Sequence, residues 1–421
     1  VTPRRLAGRY ELTEPLGKGG MGEVWAGQDT ALGGRRVAVK LLHTDRLASL
    51  SGTTDPEELR RRFLREARAT ARIDHPGLVG VHDAGSEGGE LYLVMQLIDG
   101  CDLADHLAEH DPYPWQWAVA TLAQLCSALA AVHAVEIVHR DLKPGNVMIR
   151  MDGRVTVLDL GIAAVRGEQE ETRLTRTGAL LGTPVYMAPE QAVGGPPVGP
   201  AADLYALGAI GYELLTGTPP FRAPNAAGLL YKKLHEEPPP LQHLRPDIPP
   251  ALAALVHRLL AKDPFGRPAD THEVFAALAP LLPGPGPTGA PPAVPMDPTR
   301  PFAHPMAPWP ATRPRAREQD LSAVVEEVRR LLAQHRYAEA AELLSHTLPR
   351  AAARYGRHSP VVRTLRKQYA ATLMDTGQYA RALPEIQWLL QDFGTERGPY
   401  DPTVVQLRAD EAECLRRLGH H

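Results

Sequence analysis

Residues 283–314, "PGPGPTGAPPAVPMDPTRPFAHPMAPWPATRP", constrain the fold of this chain more than any other stretch. Proline removes backbone donors and glycine adds conformational entropy, so a packed core here is implausible, and an extended, semi-rigid linker is expected over 283–316. The chain is thereby cut in two. On its N-terminal side lie enough residues for a bilobal domain, and on its C-terminal side residues 319–421 carry purely helical periodicity.

From Tyr10 to about Val94 short apolar runs alternate with glycine turns, as in "RYELTEPLGKGGMGEVWAGQ" and "RRVAVKLLH", which predicts a small antiparallel sheet. One helical stretch interrupts it, "DPEELRRRFLREARATARI", with Asp55 suited to cap and Pro56 to the first turn. After "LYLVMQL" long helical patterns dominate, with two short strands around 147–158. The expected class is α+β: a sheet lobe with one helix over about 10–95, a mainly helical lobe over about 100–280, and an all-α module beyond the linker.

Net charge is −3 and the basic residues are scattered, so neither nucleic acid nor a membrane surface is an expected partner. No run approaches the ~20 apolar residues of a membrane span. The N-terminus lacks a secretory core, and Cys101, Cys126 and Cys414 are too few and dispersed for a metal knuckle or disulfide framework. A reducing, cytoplasmic setting is expected.

Chemistry concentrates in four motifs. "LGKGGMGEV" spaces Gly17, Gly19 and Gly22 as G-x-G-x-x-G between two β-like runs, so a hairpin, not a helix N-terminus, would cover phosphates. Lys40 ends the apolar run "VAVK" and needs an anion; Glu66 in "FLREARA" is the candidate to hold it. In "HRDLKPGN", Asp141 is placed to orient a hydroxyl and accept its proton, Lys143 to neutralise a transferring phosphoryl group, and Asn146 to ligate a metal. "VTVLDLGIA" supplies Asp159 for Mg²⁺, and Gly161 for the turn beyond. Each residue alone is more often a solvated charge or an ordinary turn; order and spacing together are specific.

Residues 10 to about 280 therefore resemble a protein kinase domain of the bacterial eukaryotic-like (Hanks-type) serine/threonine class. The resemblance implies ATP between the lobes, with Mg²⁺ or Mn²⁺. It places Leu16, Val24, Ala38 and Met148 near adenine, Met95 as gatekeeper, Gln96 to Ile98 as hinge, and Lys18 and Gly20 in the phosphate loop. It pairs Glu190 of "GTPVYMAPE" with Arg267, gives Asp203 the task of steadying the catalytic loop, and sets Thr183 beside the substrate hydroxyl. Thr175 and Thr177 fall where related kinases are autophosphorylated. Leu160 and Tyr205 depart from the common Phe and Trp but remove no reacting group.

Two rivals compete with this assignment. A pseudokinase scaffold would lack a group among Lys40, Glu66, Asp141, Asn146 and Asp159, and none is missing. A small-molecule phosphotransferase would not be expected to carry "GTPVYMAPE". Beyond the linker, an offset of 42 residues aligns Leu331 with Leu373 and Leu415, Tyr337 with Tyr379, Ala340 with Ala382, Gly356 with Gly398, Pro360 with Pro402, Val362 with Val404 and Leu365 with Leu407. Such a register is expected of tetratricopeptide-like repeats, similar to those of kinesin light chains, that recruit a protein partner or a second copy. A plain helical bundle is the bland alternative.

Overall fold

In the computed structural model the described residues are 4–19, 22–42, 55–110, 112–160, 185–193, 198–223, 225–284 and 294–305. Toward the C-terminus they are 324, 327–328, 330–332, 334, 336–355, 359–397 and 401–418. The chain divides into two compact units, the first of residues 1–106 and 112–315 and the second of residues 107–111 and 316–421.

The first unit begins with strands β1 (Arg5–Leu6), β2 (Tyr10–Gly19), β3 (Gly22–Asp29), β4 (Arg35–Leu42), β5 (Val81–Glu87) and β6 (Glu90–Gln96). They form one antiparallel sheet in the order β1-β2-β3-β4-β6-β5. The stretch Val37–Leu42, apolar except for Lys40, is buried on both faces, as a central strand requires. Between β4 and β5 runs α1 (Pro56–Thr70): Asp55 accepts from the Glu57 N–H at 3.0 Å, and Glu57 and Glu58 complement the positive end of the helix. Leu59, Phe63 and Ala67, four residues apart, put one helix face into an apolar cluster with Leu42, Leu91 and Leu93.

The helical lobe starts with β7 (Gly100–Asp102) and α2 (Leu103–Glu109), followed by α3 (Trp115–His133). Strands β8 (Val147–Arg150) and β9 (Val155–Val157) join β7 in a second antiparallel sheet. Further along come α4 (Pro189–Val193), α5 (Ala201–Thr216), α6 (Ala226–His235), α7 (Leu241–Leu244), α8 (Pro250–Leu259) and α9 (Thr271–Leu278). Among the described residues α3 is the single helix long and apolar enough to cross a membrane, and it is spent on the lobe core, where Leu122, Leu125 and Leu129 are fully buried. Burial there also pushes the Cys126 thiol up to about 12, so it packs as an inert small apolar group.

Part of the stretch expected to be an extended, semi-rigid linker carries tertiary structure. Residues 294–305 belong to the first unit and form a short helix, α10 (Arg300–Ala303), with Pro298 and Arg300 buried. Composition alone hides this, because the docking partners are tertiary.

The second unit contains α11 (Tyr337–Tyr355), α12 (Pro360–Asp375), α13 (Tyr379–Arg397) and α14 (Pro402–Arg417). α11 and α13 have equal lengths of 19 residues, as α12 and α14 have of 16, and each equivalent pair starts at the offset read from the sequence. Ser359 and Asp401 cap the two equivalent helices, each ahead of a proline in the first turn. Ala382, Val362 and Val404, and Leu365 and Leu407 are buried in one core, and Ala340, the equivalent of Ala382, is also fully buried.

Candidate active site

The glycine motif lies at the end of the β2–β3 hairpin, where Gly17 pairs Val24 and Gly19 pairs Gly22. A Cβ on Gly22 would meet the Leu41 carbonyl oxygen at 1.8 Å, so only glycine lets β3 approach β4 there, whereas a Cβ on Gly17 would meet nothing within 4 Å. Residues 20–21 and the side chains of Lys18 and Gly19 lie outside the described set. Below the hairpin, Ala38, Met95, Ile98 and Met148 are buried in one apolar cluster, with Leu16 and Val24 packed against it. Gln96 ends β6, and its N–H donates to the Gly80 carbonyl at 2.8 Å.

Lys40, near the middle of the sheet, is 8% exposed. Its ammonium donates to Asp159 Oδ2 at 2.7 Å. The pairing with Glu66 expected from the sequence is not made in this structure: the Glu66 carboxylate accepts from the Arg65 guanidinium at 3.0 and 3.1 Å. The buried ammonium is paired by Asp159, and Glu66 is paired by the cation next to it in sequence.

Asp141 stands on the loop between α3 and β8. Lys143 Nζ donates to its Oδ2 at 3.0 Å, and Asn146 Nδ2 to its backbone carbonyl at 2.8 Å and to Oδ2 at 3.3 Å. This loop is pinned from beneath by Asp203, 1% exposed, which accepts the N–H groups of His139 at 2.8 Å and Arg140 at 2.9 Å and contacts His133 Nε2 at 2.8 Å. A buried carboxylate is tolerable only when so satisfied. Arg140 and Asp159 hold left-handed backbones, with φ of 62° and 61°, which costs energy that only an over-determined loop sustains.

Arg267, with its side chain fully buried, makes a two-pronged pair to Glu190 at 2.6 and 2.8 Å and also donates to the carbonyls of Ala201 and Ala261. Glu190 lies in the first turn of α4, and Gln191 beside it donates to the Arg140 carbonyl at 3.0 Å. That tie between α4 and the catalytic loop was not legible in the sequence, nor was the bond from Lys233 Nζ to the Met187 carbonyl at 2.6 Å. Thr175, Thr177, Thr183 and Gly161 lie outside the described residues.

A family model for the protein kinase domain matches residues 10–277. The chain belongs to the protein kinase family.

Within that family, the chain is 41% identical over 267 residues to the serine/threonine-protein kinase PknA of Mycobacterium tuberculosis, covering 62% of this chain and 58% of the relative. It is 40% identical over 279 residues to the serine/threonine-protein kinase pkn2 of Myxococcus xanthus, covering 65% and 32%. With the serine/threonine-protein kinase PrkC of Bacillus subtilis it shares 36% identity over 264 residues, covering 63% and 39%. The chain thus spans less than two thirds of the length of each of these relatives. The kinase domain places Asp141, Lys143 and Asn146 together on one loop and Lys40 against Asp159, while Glu66 stays with Arg65.

Proposed function

We propose that the chain is a bacterial serine/threonine protein kinase that transfers the γ-phosphoryl group of ATP to Ser and Thr hydroxyls of proteins. The observation that carries this is Asp141, met by both Lys143 and Asn146 on a loop pinned by a buried Asp203. In the reaction the substrate oxygen bonds to the γ-phosphorus, the bond from that phosphorus to the ADP oxygen breaks, and the hydroxyl proton passes to Asp141. Lys143, 3.0 Å from that carboxylate, stands beside the forming bond and offsets charge on the phosphoryl oxygens. The backbone of the β2–β3 hairpin covers the phosphates, and Leu16, Val24, Ala38, Met95, Ile98 and Met148 enclose the base, with Gln96 at the hinge.

Asp159 and Asn146 would hold Mg²⁺ or Mn²⁺, which supplies neutralising charge for the phosphate oxygens. One carboxylate and one amide oxygen are hard donors that fit a cation keeping most of its ligands from phosphate and water. Among the described residues no cluster of three or more His, Cys, Asp or Glu side chains competes for it. Releasing Asp159 for that task requires Lys40 to turn to the α- and β-phosphates and to Glu66. The exchange is inexpensive on the Glu66 side, because its present partner Arg65 is 73% exposed and such pairs contribute little.

Autophosphorylation of Thr175 or Thr177 would supply Arg140 with an anion, and Thr183 would sit beside the substrate hydroxyl. The second unit reads as tetratricopeptide-like repeats for a protein partner or a second copy, supported by its equal helix pairs. Phosphoamino-acid analysis of a generic basic protein incubated with the chain and Mg·ATP tests the class: phosphate on Ser and Thr supports it, and phosphate on Tyr alone or none at all overturns it.

A further inference from the structure

Gln124, in the middle of α3, uses its one side-chain amide to join three segments. Its Oε1 accepts from the Val155 N–H at 3.0 Å, and its Nε2 donates to the carbonyls of Gly153 at 3.2 Å and Pro298 at 3.1 Å. The Met296 N–H adds a bond to the Met151 carbonyl at 3.1 Å, and the Met151 N–H in turn donates to the carbonyl of Asp99, next to the hinge residue Ile98. Gly153 is buried with φ of 83°, and a Cβ there would lie 1.9 Å from the Asp297 carbonyl oxygen. The turn is thus shaped to accept the backbone of residues 296–298. Asp297 Oδ1 accepts from the N–H and hydroxyl of Thr299, which fixes the local bend that buries Arg300. In a stretch of proline and glycine, this sequence-specific fit to one turn is what a plain tether would not need.

The turn at 151–154 closes the β8–β9 hairpin. The other ends of those strands carry Asn146 and Met148 on one side and Asp159 on the other, with the Leu158 N–H donating to the Asn146 carbonyl at 2.8 Å. We propose that residues 294–305 are a strap of the kinase domain, and that Gln124 and the strap are positioning residues that hold the β8–β9 hairpin in register for nucleotide and metal. The consequence for nucleotide rests on the kinase function proposed above; the coupling of strap to hairpin does not.

Two full-length variants test the strap. In Gln124→Glu the acceptor for Val155 survives while both donations are lost and a carboxylate faces two carbonyls. In the other, residues 294–305 are replaced by Gly and Ser. Hydrogen exchange of the nucleotide-free chains should accelerate across Val147–Val157 and stay unchanged across Ala201–Thr216. The Kd for Mg·ATP should weaken about fivefold, as expected for a lost hydrogen bond of ordinary worth, with kcat little changed. A peptide of residues 294–305 added to the strapless chain should restore both. Faster exchange confined to 294–305, or spread equally into Ala201–Thr216, overturns the strap's positioning role. Were the strapless chain not to fold, Gln124→Glu decides alone. Were wild type to bind no nucleotide, the kinase function fails while the local exchange pattern still decides the coupling.

Discussion

Lys40 and Asp159, 119 positions apart, meet with Nζ 2.7 Å from Oδ2, so the cation of the sheet lobe closes on the carboxylate that follows β9. This contact joins two of the charges on which phosphoryl transfer would depend. Lys40→Met should therefore lower transfer by about 10²–10³-fold, the scale on which one electrostatic group counts in a transition state. Glu66→Gln should lower it by less, roughly tenfold, since Glu66 would act only through Lys40. Steady-state kinetics on a generic basic protein gives the ranking, and an equal loss in both variants contradicts it.

Arg267, whose side chain is fully buried, pairs with Glu190. Arg267→Ala would strand the Glu190 carboxylate and the carbonyls of Ala201 and Ala261, and should cost about 3–5 kcal/mol of stability. Denaturant unfolding of the variant measures it; a loss below about 1 kcal/mol would place the pair among exposed bridges.

Lys233 sits 2% exposed in α6, and burial, with Lys262 nearby adding to the effect, lowers its amine from 10.5 to about 7. Below that pH it is protonated in folded and unfolded chains alike, and the folded state bears the full cost of the buried charge. Between about 7 and 10.5 the unfolded chain keeps the proton that the folded chain has released, so stability rises with pH. Lys233 alone adds a slope of up to about 1.4 kcal/mol per pH unit there. Lys262 is also lowered by burial and contributes its own slope. Unfolding of wild type and Lys233→Met from pH 6 to pH 10 isolates the first: the variant should be the more stable at low pH, with the gap closing as pH rises.

What the sequence made legible was whatever depends on short-range pattern. The Asp55 cap, the buried stripe of Leu59, Phe63 and Ala67, and the equal helices from Tyr337 and Tyr379 follow from side-chain spacing alone. The grouping of Asp141, Lys143 and Asn146 was legible for the same reason, since they lie within six residues of one another. Partner choice was not. Whether Lys40 pairs with Glu66 or Asp159 depends on contacts that only the folded backbone makes. The strap was hidden because proline content describes how a segment behaves alone, and its fit depends on Gly153 and Gln124, far away in the chain.

In the second unit, Ala340 and Ala382 are both fully buried at equivalent places. If the two helix pairs are repeats, Ala340→Leu and Ala382→Leu should each destabilise that unit by about 1–3 kcal/mol through overpacking. Deleting residues 319–421 should leave activity on a generic substrate intact and abolish self-association or a stable partner. Light scattering and pull-down test the deletion; loss of activity on removal would make the unit an integral part of the catalytic fold.

The most direct test of the central claim is single-turnover transfer from γ-labelled ATP to a generic basic protein by wild type and Asp141→Asn. The substitution keeps size and the Asp203 brace but removes the proton acceptor, so transfer should fall by about 10²–10⁴-fold, the usual contribution of a positioned base, while nucleotide affinity stays the same. Transfer by Asp141→Asn near the wild-type rate would contradict the account.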